Sequence, residues 1–171
     1  FGGPDVMHLV DLATPTPGAG QELLTVSSIG INYADTHQTE NSYLFPQKLP
    51  LIPGVEVVGT TASGVRVLAL VEAGGYAQQV VTHSAMMVPV TEGVSDEQAL
   101  CMLVQGSTAW HVLKTFGHLQ PGETVVVHAA AGGVGTIAIQ LAKLWGAKVI
   151  AVASSEGKRA LATSLGADAV V

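Results

Sequence analysis

The pattern of hydrophobic positions changes character near residue 95. Before that point, short apolar runs alternate with turns rich in proline and glycine, which predicts β-strands. Many short strands joined by frequent turns are typical of a small barrel. We therefore expect residues 1–94 to form a β-barrel domain. The runs are VMHLVDL, ELLTVSSIGIN, VEVVGTTASGVRVLAL, GGYAQQVVT and AMMVPV.

Helical periodicity follows in the stretch VSDEQALCMLVQGSTAWHVLKTFG. Ser95 fits the N-cap of a first helix, with Gln98 as the returning half of a capping box. Gly106 is expected to end or kink that helix, and Gly117 to end a second one. Residues 95–119 are therefore predicted to be connecting helices.

Strand and helix patterns alternate from Pro121 onward. ETVVVHA and KVIAVAS are near-continuous apolar runs, as in strands buried on both faces, and ADAVV opens another strand. Helical stretches lie between these runs, and each ends at a glycine. This order predicts an α/β fold, in which residues 120–171 form a βαβαβ unit, the first half of a Rossmann domain. The face of its first helix that is expected to be buried carries Val134, Ile137, Ala138, Leu141 and Trp145.

The two ends of the sequence indicate a piece of a longer protein. The chain starts at Phe1 rather than at a methionine, and ADAVV resembles a strand cut short. A whole Rossmann sheet has about six parallel strands, of which the pattern supplies only the first half. We therefore expect the chain to be truncated.

Composition and charge exclude several classes of protein. The chain is 48% hydrophobic and 12% charged, which is enough apolar content for a core and too little charge for disorder. The net charge of −6, without a cluster of lysine or arginine, argues against a nucleic-acid partner. No apolar run reaches the roughly 18 residues of a membrane span, and no leader is recognisable, so we expect a cytoplasmic protein without membrane partners. The single cysteine, Cys101, excludes an internal disulfide and a multi-cysteine zinc site, and its apolar neighbours predict a core position.

A glycine-rich turn, HAAAGGVG, lies between a predicted strand and a predicted helix. Aligned to the dinucleotide fingerprint G-x-G-x-x-G, its positions are Ala130, Gly132 and Gly135. Glycine at the last two positions permits close approach of a pyrophosphate and close packing of helix on strand. The first position needs only a tight turn, which alanine can form if its φ stays negative. The βαβ context makes a dinucleotide site the preferred interpretation, and a plain strand-to-helix turn remains the alternative.

The end of the second strand indicates which dinucleotide is bound. NAD sites usually place an acidic residue there to hold the ribose 2′-hydroxyl. Here Ser154 and Ser155 are followed by Lys158 and Arg159, and hydroxyls with cations suit a 2′-phosphate. We therefore favour NADPH. Two alternatives stay open: Glu156 could bind a ribose, and the cations could form a solvated helix face.

The chain resembles the zinc-independent quinone oxidoreductase branch of the medium-chain dehydrogenase/reductase superfamily, which includes the zeta-crystallins. The resemblance is carried, in the family's order, by GINYADTHQTENSY, LPLIPGVEVVG, GGYAQQVV, LVQGSTAWHVL, PGETVVVHAAAGGVGTIAIQLAKLWGAKVIAVASSEGK and LGAD. It implies a GroES-like β-barrel domain followed by a Rossmann domain, and it implies NADPH as the cofactor.

The same resemblance implies roles for individual residues. Asn32, in the family's N-x-x-D, lies near the nicotinamide end of the cofactor and is a catalytic candidate together with Tyr43. Tyr43 matches a tyrosine of the active cleft that is a proposed proton donor in related enoyl-thioester reductases, and a packed aromatic is its alternative. Thr108 matches a threonine near the nicotinamide. The remaining cofactor-binding candidates, at the pyrophosphate turn and the 2′-phosphate site, are Ala131, Gly132, Gly133, Val134, Ser154, Ser155 and Lys158.

Departures from the zinc-dependent relatives argue against a catalytic metal. Those relatives carry a histidine in a G-H-E motif, where this chain has Val55 in PGVEVVG. None of the six histidines forms H-x-x-x-H spacing with another. His37, in the segment expected to line the cleft, is the one histidine with a candidate role, and a partly exposed polar residue is the favoured interpretation.

Without a metal to polarise a carbonyl, the chemistry must rely on alignment of the nicotinamide with an electrophilic acceptor. We therefore expect an NADPH-dependent quinone reductase, with a quinone or enone as its small-molecule partner. The alternatives are an enoyl-thioester or alkenal reductase and a non-enzymatic NADPH-binding protein. The full-length protein is expected to be a homodimer.

Overall fold

The computed structural model describes the whole chain, Phe1–Val171. The chain divides into two compact units, Phe1–Leu103 and Val104–Val171. The predicted connecting segment, residues 95–119, is shared between them. Each unit has its own core of buried apolar side chains.

The first unit is built on a five-stranded antiparallel sheet with the strand order β4-β1-β2-β3-β5. Each strand is a short apolar run bounded by turn residues, as the sequence predicts. A bulge between Val26 and Ser28 bends β1 against β2. The strands are β1 Gln21–Ile29, β2 Glu56–Thr61, β3 Arg66–Leu70, β4 Gln79–His83 and β5 Met87–Pro89. The helices of this part are the 3-10 turns Pro4–Val6 and Ser84–Met86, α1 Tyr33–Glu40 and α2 Asp96–Cys101.

Both faces of the central strand β2 are buried. Val57 and Val58, on opposite faces because successive strand residues alternate, are each fully buried. Val57 packs in a cluster with Leu24 of β1, and Val58 packs in another with Leu100 of α2. The helix therefore covers one face of the sheet.

The predicted strand VMHLVDL is wrong. After Pro4–Val6, residues 7–17 form no strand or helix. Leu9 and Leu12 are exposed, so the apolar side chains of this run contribute nothing to the core. An apolar pattern forms a strand only where a neighbouring strand satisfies its backbone hydrogen bonds, and here none does.

The prediction that Gly106 ends or kinks a helix is wrong as regards an end, and the kink stays a prediction. Gly106 has φ −66° and ψ −49°, and the helical path continues through it. The path runs from α2 through the π-helical segment Met102–Gly106, α3 Ser107–Trp110 and the π-helical segment His111–Phe116. The predicted capping box is confirmed, because Ser95 Oγ accepts from Gln98 N–H (3.2 Å) and Gln98 Oε1 accepts from Ser95 N–H (2.9 Å).

The helical path ends after Phe116, at the predicted glycine. Gly117 stays right-handed, with φ −79°, and the left-handed residue is His118, with φ +49°. A Cβ atom at Gly117 would lie 2.7 Å from the carbonyl oxygen of Val112. Glycine is therefore required at this position because there is no room for a side chain, and not because of its φ angle.

Cys101 is exposed, so the prediction of a core position is wrong. Leu100 takes the buried position of α2. The next residue of a helix lies about 100° further around the axis, which turns Cys101 outward.

The second unit contains the predicted βαβαβ unit, as a three-stranded parallel sheet in the order β6-β7-β8. Gly146 and Gly166 follow its two helices with φ of +78° and +106°, as predicted for helix ends. None of the helices in the structure has both the length and the apolar character required for a membrane span. The elements are β6 Thr124–Val127, α4 Gly133–Leu144, β7 Lys148–Ala151, α5 Glu156–Ser164 and β8 Ala169–Val170.

The buried face of α4 differs in part from the prediction. Its buried residues are Gly135, Ala138, Ile139 and Ala142, mostly small ones that allow the helix to approach the sheet closely. Of the predicted face, Ala138 is buried, whereas Ile137, Leu141 and Trp145 are only partly buried and Val134 is 36% exposed.

Candidate functional site

An open groove of about 590 Å³ lies in the second unit, where β6 and β7 end. Ligands of open parallel sheets bind at the carboxyl ends of the strands, so this is the expected location for a site. The groove is lined by Ala129, Ala131, Gly132, Val152, Ala153, Ser154, Lys158 and Val171.

The turn after β6 is tight although it begins with alanines. Ala129 has a left-handed φ of +48°, and its carbonyl oxygen accepts a hydrogen bond from Gly132 N–H at 2.8 Å. Ala130, the residue at the first fingerprint position, is fully buried and does not have a positive φ. Alanine at the first fingerprint position was expected to require a negative φ, and this condition is met. The left-handed residue is Ala129, one position earlier.

The N-terminus of α4 opens at this turn. Gly132 precedes the helix in extended conformation without a side-chain cap, and the first backbone bond of the helix runs from Thr136 N–H to Gly132 O at 2.9 Å. The N–H groups of the first helical turn therefore point out of the helix, where they favour an anion. A side chain at Gly135 would lie 2.6 Å from Ala129 O and 2.8 Å from Ala130 Cα, so the close packing of helix and turn requires glycine there.

Gln105 lies against the start of α4, and sequence reasoning missed it. A side chain at Gly133 would lie 2.9 Å from Gln105 Cγ. Gln105 belongs to the π-helical segment Met102–Gly106, and π-helical turns frequently occur at functional sites. Gln105 lies in the stretch LVQGSTAWHVL, which carries the resemblance. No local pattern connects this stretch with the glycine turn, which comes more than 20 residues after Gln105.

The 2′-phosphate candidates lie at the end of β7. Lys158 Nζ is 3.5 Å from Ser154 Oγ, and both residues line the groove. Ser155 caps α5 by accepting a hydrogen bond from Lys158 N–H at 3.4 Å. Arg159 donates to the carbonyl oxygen of Ala153 at 2.9 Å and does not line the groove. Glu156 begins α5, outside the groove lining.

Asn32 belongs to a buried polar cluster in the first unit. Its Nδ2 donates to Glu56 Oε1 at 2.8 Å, and its backbone N–H donates to Asp35 Oδ2 at 2.8 Å. Tyr76 Oη donates to the same Asp35 oxygen at 2.9 Å. Burial, together with the hydrogen bond to Asp35 and its charge, raises the pKa of Tyr76 far above its ordinary value, so the phenol remains a donor. Glu56 and Tyr76 were not predicted as site residues, although both lie in stretches that carry the resemblance.

Of the remaining predicted residues, Tyr43 and Thr108 are exposed and His37 is partly buried. Tyr43 follows α1 in a loop and is 37% exposed. Thr108 is exposed in α3. His37, on α1, shares a hydrogen bond of 2.9 Å between Nδ1 and Ser42 Oγ, and its ring meets Tyr33 edge-on.

The structure therefore gathers some of the predicted residues and not others. Ala131, Gly132, Ser154 and Lys158 share one groove. Outside its lining, Gly133 and Val134 lie in the first turn of α4, and Ser155 is the N-cap of α5. Asn32 and Tyr43 belong to the first unit, and Thr108 belongs to the second. No three histidine, cysteine, aspartate or glutamate side chains lie close enough together to hold a metal ion.

Comparison with known proteins extends the resemblance. Residues 133–171 match the family described as zinc-binding dehydrogenase. The human synaptic vesicle membrane protein VAT-1 homolog is 37% identical over 155 residues, which are 84% of this chain and 39% of that protein. A quinone oxidoreductase from Pongo abelii is 33% identical over 182 residues, 99% of this chain and 55% of that protein.

A solved structure agrees in fold as well as in sequence. The quinone oxidoreductase from Thermus thermophilus, described also in its complex with NADPH, is 41% identical with a TM-score of 0.89. The match covers 95% of this chain and 55% of that one. The chain thus spans little more than half the length of the quinone oxidoreductases reported above. Because the sequence match covers 99% of this chain and the structural match covers 95% of it, the chain belongs to the zinc-independent quinone oxidoreductase branch of the medium-chain dehydrogenase/reductase superfamily.

Proposed function

We propose that the protein is an NADPH-dependent reductase that transfers a hydride to a quinone or a similar electrophilic acceptor without zinc. The observation that carries this proposal is the groove in which the glycine turn, Ser154 and Lys158 occur together. A groove lined both by the residue that precedes an anion-favouring helix end and by a cation fits the two kinds of phosphate in NADPH.

The residues fit the phosphates group by group. The outward N–H groups at the start of α4 suit the pyrophosphate, because Gly132 and Gly133 place no side chain in front of them. Lys158 Nζ and Ser154 Oγ, 3.5 Å apart, suit a 2′-phosphate by one charge and one hydroxyl. Glu156 lies outside the groove lining, so its carboxylate is not positioned to replace them as a ribose ligand.

The family supports the same cofactor. The Thermus thermophilus relative is described in complex with NADPH. At 41% identity and a TM-score of 0.89, this likeness is strong enough for the cofactor proposal.

The proposed chemistry divides into cofactor and protein contributions. NADPH supplies the hydride from nicotinamide C4. Asn32 is proposed to orient the nicotinamide end, with Thr108 as a second contact. Tyr43 lies in an exposed loop. Its hydroxyl is proposed to bind the oxygen of the acceptor and to donate a proton to that oxygen. A quinone or enone suits this arrangement because the electron pair it accepts ends in a stabilised hydroquinone or enolate.

Steady-state NADPH oxidation by the intact protein tests the proposal. We expect turnover with 1,4-benzoquinone to exceed turnover with crotonyl-CoA. A clear preference for crotonyl-CoA would instead identify an enoyl-thioester reductase. NADPH binding without turnover on any quinone or enone would identify a non-enzymatic NADPH-binding protein.

Two further expectations stay predictions. A homodimer of the intact protein is testable by light scattering after size exclusion. A cytoplasmic location is testable by fractionation of the source cells.

A further inference from the structure

A buried polar cluster of four residues, Asn32, Asp35, Glu56 and Tyr76, has no role in the function proposed so far apart from Asn32 itself. Its members come from separate parts of the first unit: the start of α1, the start of β2 and the loop before β4. Glu56 is fully buried, Asp35 is 3% exposed and Asn32 is 8% exposed. Polar groups this deeply buried require hydrogen bonds, so their partners decide how each side chain is oriented.

The hydrogen bonds fix the direction of the Asn32 carboxamide. A carboxyl oxygen of Glu56 accepts from Asn32 Nδ2 at 2.8 Å, which assigns the amide nitrogen to the side of Glu56 and the amide oxygen to the other side. Asp35 Oδ2 holds the Asn32 backbone N–H at 2.8 Å and is itself held by Tyr76 Oη at 2.9 Å. Asn32 is therefore anchored through its main chain and its side chain at once.

The backbone leaves room for the two anchoring side chains. A Cβ atom on Gly30 would collide with the Glu56 side chain. A Cβ atom on Gly54 would collide with the Tyr76 ring, and Gly54 also has a left-handed φ of +96°. Glu56 and Tyr76 thus occupy spaces that only glycine at positions 30 and 54 leaves open.

Stability alone does not account for the cluster. Asp35 Oδ1 is buried without a hydrogen-bond partner, which is unfavourable for folding. Apolar side chains of similar volume would fill the same spaces without that cost. What a connected polar network provides, and an apolar core does not, is a fixed orientation for a polar side chain.

We propose that Glu56 and Tyr76 are positioning residues, which hold Asn32 and the start of α1 so that the nicotinamide end of NADPH is presented in one pose. This inference rests on the proposed function, because it assumes that Asn32 contacts the nicotinamide end. Tyr76 acts through Asp35 on the Asn32 main chain, and Glu56 acts directly on the carboxamide. Neither residue is required to touch the cofactor or the acceptor.

The test is Tyr76→Phe in the intact protein, with Tyr33→Phe as the matched control. Both changes remove one phenol hydroxyl from the first unit, but Tyr33 is 81% exposed on α1 and outside the cluster. Five quantities are compared: the melting temperature, the dissociation constant of NADPH, the kcat with benzoquinone, the primary isotope effect with NADPH deuterated at the transferred position and the steady-state anisotropy of bound NADPH emission. The steady-state anisotropy of bound NADPH emission reports the mobility of the nicotinamide without turnover.

We expect Tyr76→Phe to lower kcat by about tenfold or more, to raise the isotope effect and to lower the anisotropy, because small displacements of reacting atoms strongly slow transfer. The dissociation constant should change little, since the residues proposed to bind the phosphates are unchanged. Tyr33→Phe should match the wild type in all of these measurements. A Tyr76→Phe variant with a lowered melting temperature but wild-type kcat, isotope effect and anisotropy would show a purely structural role and overturn the proposal.

The measurements distinguish a wrong reductase proposal from a wrong positioning role for Glu56 and Tyr76. A wild-type protein that binds NADPH without turnover contradicts the reductase proposal, and the anisotropy of Tyr76→Phe still decides the positioning role. A wild-type protein that does not bind NADPH overturns both. If Tyr76→Phe does not fold, Glu56→Gln replaces it in the test. This variant keeps an acceptor but also adds a donor beside Asn32 Nδ2. The same quantities are measured, and the same outcomes support or overturn the proposal.

Discussion

Lys158 Nζ lies 3.5 Å from Ser154 Oγ on the wall of the groove at the end of β7. Both residues are exposed, so a phosphate can reach them without burial of the lysine. The position at which NAD sites usually carry an acidic residue presents a hydroxyl and a positive charge here.

Lys158→Ala should weaken NADPH binding and leave NADH binding nearly unchanged. A charge-assisted contact to phosphate contributes on the order of 1.5–3 kcal/mol, so we expect at least about a tenfold loss for NADPH. Fluorescence titration with both cofactors measures it. Lys148→Ala, at the opposite end of β7, is the matched control and should change neither affinity. Equal losses for NADPH and NADH in Lys158→Ala would remove the 2′-phosphate assignment.

Tyr43→Phe should separate the two substrate classes. The loop position of Tyr43 predicts an unchanged fold and an unchanged NADPH affinity. With a quinone, kcat should fall only modestly, because a hydroquinone can take its protons from water. With an enoyl thioester, loss of a positioned proton donor should lower kcat roughly 10²-fold. Unchanged rates with both substrates would exclude Tyr43 from the mechanism.

Two glycine-to-alanine changes in the second unit should have opposite signs. Gly135→Ala places a Cβ atom 2.6 Å from Ala129 O, which forces helix and turn apart and should cost about 1–3 kcal/mol of stability. Gly157→Ala, in α5, meets no atom within 4 Å and should stabilise by about 0.5–1 kcal/mol. Urea unfolding of both variants checks the difference. A stabilised Gly135→Ala variant would contradict the close packing described for the turn.

Asp96→Asn should reveal the acid sensitivity of the first unit. Hydrogen bonds from Ser27 and Ser28, together with Arg66 at 2.9 Å, hold the pKa of Asp96 below its ordinary 3.8. The stabilisation from a lowered folded-state pKa is complete above the unfolded-state value and is lost as the pH falls through the folded-state value. We therefore expect Asp96→Asn to cost about 1.5–3 kcal/mol at pH 7, by loss of charged hydrogen bonds.

Urea unfolding between pH 7 and about pH 2 checks this pH dependence, because the deficit of Asp96→Asn should narrow as the wild-type carboxylate becomes protonated. Asp11→Asn, at an exposed residue outside helices and strands, should follow the wild type throughout. A deficit that is constant with pH would mean that the charge of Asp96 contributes nothing.

The free edge of β6 should cause residues 1–171 to self-associate when they are expressed alone. β6 pairs only with β7, and Val126 is 50% exposed on it. Unpaired strand edges with apolar side chains are prone to association, and a lysine on the strand suppresses it. Val126→Lys should therefore shift the sedimentation profile toward monomer.

Leu9→Lys is the matched control for the edge, because Leu9 is fully exposed outside any strand. It should leave the sedimentation profile unchanged. A monodisperse wild-type chain of residues 1–171, or an equal effect of both lysine variants, would show that the β6 edge is not responsible.

The groove could be predicted from the sequence because its signals are local. A strand, a glycine turn and a helix follow one another directly. Ser154 lies just before the next helix, α5, and Lys158 lies in the first turn of that helix. The backbone geometry of a βαβ unit then brings these residues together without information from elsewhere.

The polar cluster could not be predicted because its contacts are distant in the chain. Glu56 is 24 residues from Asn32, and Tyr76 is 41 residues from Asp35. Hydrophobic periodicity indicates which face of an element is buried, but not which buried polar groups meet. The helix through Gly106 was missed for another reason: glycine costs a helix about 1 kcal/mol relative to alanine, and burial of Ala109 and Leu113 further along outweighs that preference.

Because Glu56 fills the space beside Gly30, the substitutions that position 30 tolerates depend on the residue at position 56. Alanine at position 30 collides with Glu56, so the replacement is tolerated only after Glu56 has been exchanged for a smaller residue. That first exchange removes the acceptor of Asn32 Nδ2, which is unfavourable unless Asn32 changes as well. We therefore expect the two positions to form an epistatic pair, in which homologues with alanine at position 30 carry a small residue at position 56.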